Sequence, residues 1–162
     1  MNSKLNNILR AIGFIILFCI IAYLIGGFLI TSIRKSQAEQ FLFTKGTYPD
    51  PELNGNYKGS AEAQANWIGK SFDSKNNTGI NRFSEGLVEE KRIEFKTYQG
   101  KGLMDPDVDV LKIDYNIEEN PFYIKWILDE IVQVSPGKYL GKVHLRLIPF
   151  LPITIMYFEL EK

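Results

Sequence analysis

The sequence predicts a mainly β domain, an antiparallel up-and-down barrel or a sandwich, preceded by one N-terminal transmembrane helix. Three observations carry this expectation. Residues 11–33 hold no charged side chain, and several later stretches alternate apolar and polar residues with period two. Those stretches also follow one another without strand–helix alternation, which excludes dinucleotide-binding and P-loop architectures. A chain of 162 residues has room for one such domain and an anchor.

The N-terminal element comes first. Residues 11–33 read AIGFIILFCIIAYLIGGFLITSI, 23 residues without a charge. As a helix they would extend about 34 Å, enough to cross a hydrocarbon core of about 30 Å. Arg10 on one side and Arg34-Lys35 on the other bracket the run where snorkelling cations belong. The run exceeds the apolar region of a cleaved signal peptide, and Cys19 lacks the small residues that precede a lipidated cysteine. The expectation is a retained, single-pass signal anchor, with residues 1–10 as a tail and Cys19 as an apolar filler. Short tails of this kind stay in the cytoplasm, so the C-terminal domain is expected to be exported.

Charge divides at the same place. The 19 basic and 19 acidic residues cancel, but residues 1–35 hold Lys4, Arg10, Arg34 and Lys35 and no acid. The remainder carries a net −4. A domain of that sign offers no basic footprint for nucleic acid, and no such partner is expected. With 45% hydrophobic and 13% aromatic residues, wholesale disorder is excluded. A single cysteine excludes an internal disulfide, and a single histidine excludes a His-rich metal site.

Residues 34–54 are expected to be a linker, since Pro49-Asp50-Pro51 stops any helix continuing from the anchor. Phe41, Leu42 and Phe43 are unusual there, and would lie at the membrane interface or cover one end of the domain. From residue 55 onward the texture is that of half-buried strands. Ile93, Phe95 and Thr97 alternate with charged residues; Leu111, Ile113, Tyr115 and Ile117 alternate with polar ones, as do Tyr139, Gly141, Val143, Leu145 and Leu147 with Leu140 the exception. Ser135-Pro136-Gly137-Lys138 is a hairpin turn. Further strands are expected over 66–72, 79–83, 127–134 and 153–160, and Asn120-Pro121 opens a short helical turn over 122–126. The sum is seven or eight strands.

Chemical motifs are sparse. Asp105-Pro106-Asp107-Val108-Asp109 starts like a calcium loop, but Val110 and Asn116 stand where Gly and Glu are required. Asp129 and Glu130 are adjacent, so in a strand they face opposite ways; a surface role is expected, with a pairing to Lys142. His144 lies on the polar parity of its strand beside Lys142 and Arg146. It is read as a solvated histidine, or, if that face lines a polar cavity, as a partner with Arg146 for an anionic head group or a haem. The aromatics Trp67, Phe72, Phe95, Tyr115, Trp126 and Tyr139 are core or pocket lining. No catalytic nucleophile, metal-ligand set or cofactor motif is present.

Gly55-Asn56-Tyr57, then Trp67-Ile68-Gly69-Lys70-Ser71-Phe72, then a meander ending in Tyr139-Leu140-Gly141-Lys142, resembles a lipocalin-like (calycin) barrel. The stretch 129–142 is similar to small uncharacterised bacterial proteins with a W-x-G-K-x-F segment. The resemblance covers residues 55–162. It implies a barrel of about eight to ten strands that binds a small hydrophobic molecule in its mouth, with Trp67 plugging the closed end. It carries over no catalytic residue.

Together these readings give a membrane-anchored β-barrel expected to bind a hydrophobic, lipid-like molecule. The candidate lining is Trp67, Phe72, Phe95, Tyr115, Trp126, Tyr139, His144 and Arg146. Two alternatives stand beside it. One is a barrel enzyme in which His144, Arg146 and Asp114 converge in the lumen. The other is a structural or assembly subunit that contacts another membrane protein through its sheet edge or aromatic surface.

Overall fold

The computed structural model describes residues 9–10, 12–19, 21, 36–61, 66–147 and 152–162. Two compact units divide at residue 38, the second running from Glu39 to Lys162. In the first, residues 12–19 are helical. The rest of the expected transmembrane helix at 11–33, residue 21 apart, lies outside the described residues, as does the tail at 1–8. Among the described residues no helix is long and apolar enough to cross a membrane.

The second unit is a closed antiparallel barrel of eight strands in chain order. They are β1 (Gly55–Ser60), β2 (Trp67–Asp73), β3 (Thr78–Glu85), β4 (Val88–Lys101), β5 (Asp109–Asp114), β6 (Ile127–Ser135), β7 (Lys138–Leu145) and β8 (Ile153–Glu161). Neighbours in sequence pair throughout, and β8 returns to β1 through Lys58↔Glu161, Gly59↔Leu160 and Ser60↔Glu159. Closure leaves no free edge among these strands. Of the two expected architectures the barrel is the one formed. Pro136-Gly137 makes the β6–β7 turn with Gly137 at φ +74°, and Ile124–Trp126 forms a single 3-10 turn before β6.

An up-and-down meander puts alternate connections at alternate ends. The connections β1–β2, β3–β4, β5–β6 and β7–β8 share one end, called the mouth below. The connections β2–β3, β4–β5 and β6–β7 share the other, closed end. There Tyr57 packs edge-on against both Phe72 and Tyr139, and Phe72 against Phe95, with ring centroids 5.4–5.5 Å apart. Leu53 and Leu160 complete that filling. Aromatic interior positions at this end therefore act as core.

Of the linker expected over 34–54, the described residues 36–54 are structured. Residues 36–45 are helical, and Phe43 is fully buried among Val108, Val110, Val132 and Leu140. Val110, Val132 and Leu140 point outward from β5, β6 and β7, so this part of the barrel's outer wall is covered rather than solvated. Phe43 thus covers a flank, not an end. Gly46 rests against Val132, where a Cβ would stand 2.5 Å from a methyl group. Thr47 then bridges Gln133 through paired backbone hydrogen bonds of 3.0 and 2.7 Å.

Candidate functional site

The mouth half of the barrel is hollow. A partly open cavity of about 210 Å³ is walled by Trp67, Phe83, Ile93, Tyr115, Val143 and Phe158, among others. Ile124 and Ile127 border it from the β5–β6 connection. Its floor is polar: Lys70, Asn81, Tyr115 and Asp129 all line it, and none is more than 5% exposed.

These four groups form one network. The Lys70 ammonium donates to Asp129 Oδ2 at 3.0 Å, to Asn81 Oδ1 at 2.9 Å and to the Tyr115 hydroxyl. Three donors thus meet three acceptors, which suits a charged ammonium. The Tyr115 hydroxyl donates to Asp129 Oδ2 at 2.8 Å, and Trp67 Nε1 donates to Asn81 Oδ1 at 3.1 Å. Aromatic rings surround the cation, with Phe158 at 4.9 Å and Phe95, Tyr115 and Trp67 at 5.3–5.4 Å from Nζ. Burial pushes the Lys70 pKa down while Asp129 opposes the shift. The same burial, reinforced by Asp129, holds the Tyr115 phenol well above its usual 10. Asp129 Oδ1 is buried and has no hydrogen-bond partner among the described residues.

Two local irregularities assemble the floor. Between Trp67 and Gly69 the β2–β3 register shifts by one, with Gly69 at φ +131°. That bulge turns Trp67 and Lys70, which simple alternation places on opposite faces, into the same lumen. A second shift, between Ile80 and Asn81, leaves Ile93 unpaired on β4 at φ +64°. A β-branched residue in that region carries strain of about 1–3 kcal/mol. Its carbonyl accepts from Asn81 Nδ2 at 3.1 Å, which fixes Asn81 for its contact with Lys70.

The candidate residues from the sequence fall into three groups. Trp67 and Tyr115 line the cavity, Trp67 at the mouth end and not as a plug of the closed end. Phe72 and Tyr139 belong to the filled end, and Phe95 lies between, against Phe72 and Tyr115. Trp126 is 41% exposed beside Phe122 and outside the cavity lining.

His144 and Arg146 are on the outer face, so they do not converge with Asp114 in the lumen. Arg146 does meet Asp114, at 2.9 Å, but on the outside of the wall. His144 is not solvated either. It is fully buried, 3.1 Å from Glu130 Oε2 and 3.2 Å from Thr154 Oγ1.

Asp129 and Glu130 do face opposite ways, but neither is at the surface. Glu130 stands opposite Lys142 in register, yet it engages His144, Lys112 at 3.5 Å and the Leu103 backbone N–H at 2.8 Å. Lys142 instead donates to Asp105, and Asp105 accepts from Gln40 of the covering helix. Residues 102–108 therefore fold back over the outer wall beside residues 39–45.

Among the described residues no group of three His, Cys, Asp or Glu side chains is placed to hold a metal ion. Lys70 and Asn81 were not among the candidate site residues read from the sequence, and Asp129 was expected there only in a surface role. The signal for Lys70 was Gly69, whose place inside a strand marks a bulge. No protein-family model, curated protein sequence or solved structure matches the chain.

Proposed function

We propose that this protein is a membrane-anchored barrel that holds a small, neutral, largely apolar molecule in its mouth-end cavity, without catalysis. The observation that carries the reading is the cavity itself, apolar at the walls and polar only at its floor. Binding sites for small molecules have this composition. The volume is below the range for drug-sized ligands and above the 150 Å³ apolar cavity known to take benzene. It fits one ring or a short branched chain.

The floor narrows the chemistry. The Lys70 cation is matched by Asp129, so a fatty carboxylate would find no free positive charge. A hydroxyl or N–H at the ligand's polar end would meet the acceptor that Asp129 Oδ1 leaves open. The uncharged run at 11–33 supports the anchor, which would concentrate the barrel where such a ligand partitions. The sheet-edge route to a protein partner has no support in a closed barrel.

The test uses the full chain in detergent, titrated with the neutral one-ring probe 4-ethylphenol and followed by calorimetry against a detergent blank. Saturable binding near one to one is expected, and Val143→Phe, which fills the cavity from its wall, should weaken it by about tenfold. Absence of saturable binding, or equal binding by a folded Val143→Phe protein, overturns the reading.

A further inference from the structure

The two ends of the barrel differ in what they show to solvent. At the closed end the β2–β3 connection is Ser74-Lys75-Asn76-Asn77 and the β6–β7 turn is Pro136-Gly137, while exposed Leu103 and Met104 of the β4–β5 connection lie back along the outer wall beside Glu130 and Thr154. At the mouth the described connections carry large apolar side chains that touch little. Leu87 tips the β3–β4 turn, Phe122, Tyr123 and Trp126 stand on the β5–β6 connection, and Leu147 and Ile153 flank the β7–β8 connection; each is 41% exposed or more. Phe122 packs edge-on against both Tyr123 and Trp126, with centroids 5.5–5.6 Å apart, so the three form one outward aromatic cluster. Contiguous exposed apolar surface of this kind marks an interaction site.

We infer that the mouth rim is a bilayer-docking surface, inserting its aromatic and aliphatic side chains among the lipids so that the cavity opens toward the membrane. Three observations choose lipid as the occupant. The rim joins Trp and Tyr to aliphatic residues, the combination that settles at the boundary between headgroups and acyl chains. It also surrounds the opening of a cavity whose walls are apolar.

The third observation is the path of the chain. Gln40 bonds Tyr157 and Asp105, Phe43 lies lower among Val132 and Leu140, and Thr47 bridges Gln133. Residues 40–47 thus run down the outer wall toward the closed end, so the chain enters the barrel unit from the mouth side. Only residues 34–38 lie between that unit and the uncharged run at 11–33 in the sequence. With the rim's apolar character doing the binding, docking needs no anionic lipid.

The inference rests on the anchoring half of the proposed function and is independent of what the cavity holds. The chain has two tryptophans, so Trp67→Phe leaves Trp126 as the sole indole reporter. The full-length variant is reconstituted in phosphatidylcholine vesicles whose lipids are brominated in the upper half of their acyl chains. Bromine quenches only at contact, so a barrel held near the membrane without inserting keeps its emission. Docking predicts that Trp126 emission falls about twofold relative to unbrominated vesicles. Unchanged emission from a protein with an intact β circular-dichroism spectrum overturns docking. A requirement for anionic lipid overturns it in favour of electrostatic attachment.

If Trp67→Phe does not fold, the quenching lost between the natural protein and Trp126→Phe gives the same reading. The probe titration in detergent separates the two proposals. Probe binding without quenching removes docking alone, and quenching without probe binding removes the lumen reading alone.

Discussion

Asp129 and Glu130 are neighbours on one strand, both almost wholly buried, and they serve two different structures. Asp129 points inward, to a lysine caged by aromatic rings at the floor of a cavity. Glu130 points outward, to His144, Lys112 and a backbone N–H, under a cover supplied by residues 102–108 and the helix over 36–45. The barrel itself buries the first pair. The second is buried only because segments distant along the chain fold over it. One strand thus carries a site-forming charge on one face and a cover-fastening charge on the other.

The largest effect that would separate the two faces comes from Asp129→Ala. It strands the Lys70 ammonium beside hydrocarbon, and a loss of about 3–5 kcal/mol is expected from urea denaturation. Joint replacement, Lys70→Met with Asp129→Leu, removes both charges and should recover most of that loss. If the double variant is as unstable as the single, the inner network is held by more than charge matching. Glu130→Ala should cost less, about 1–3 kcal/mol, because Lys112 and the Leu103 N–H lie where the cover can admit water. Its distinguishing readout is early proteolysis within residues 102–108. A loss equal to that of Asp129→Ala would erase the distinction between the faces.

The smallest effect is in pH and belongs to the inner face. Lys70 has a folded pKa below its ordinary 10.5, so the unfolded chain binds more protons as that value is approached from below. Stability on its account therefore rises with pH, and the gain is complete once pH passes 10.5. Tyr115 has the opposite sign. Its folded pKa lies well above 10.0, so the unfolded chain releases the proton first and stability falls as pH climbs past that value. Urea midpoints measured from pH 7 to about 11 should show a rise that Lys70→Met flattens and a fall that Tyr115→Phe flattens.

Alternation made most of the barrel legible in the sequence. The strands at 111–117, 127–134 and 139–147 lie close to β5, β6 and β7, and the turn at 135–138 stands where it was expected. The outward parity of His144 was legible as well. Its burial was not, because alternation distinguishes the two faces of a sheet and says nothing about what covers the outer one. Gln40 and Asp105, which fasten that cover, are 65 residues apart. Lys70 was hidden for a local reason: a period-two reading from Trp67 runs through a bulge and assigns the lysine to the wrong face. Gly69 was the available clue, since a glycine inside an otherwise strand-forming run marks such a break.

The junction of β8 with β1, three residue pairs long, gives the barrel wall an uneven stiffness. Beside it the ring of Trp67 occupies the space a side chain on Gly59 would need, and Trp67 meets Phe158 edge-on at 5.5 Å. Both rings line the cavity. The lumen is therefore bounded by the eight-pair β3–β4 and β7–β8 ladders and, between β8 and β1, by a short seam with an edge-on indole. A molecule slightly too wide for it would strain the walls unequally, and the seam is where they would give.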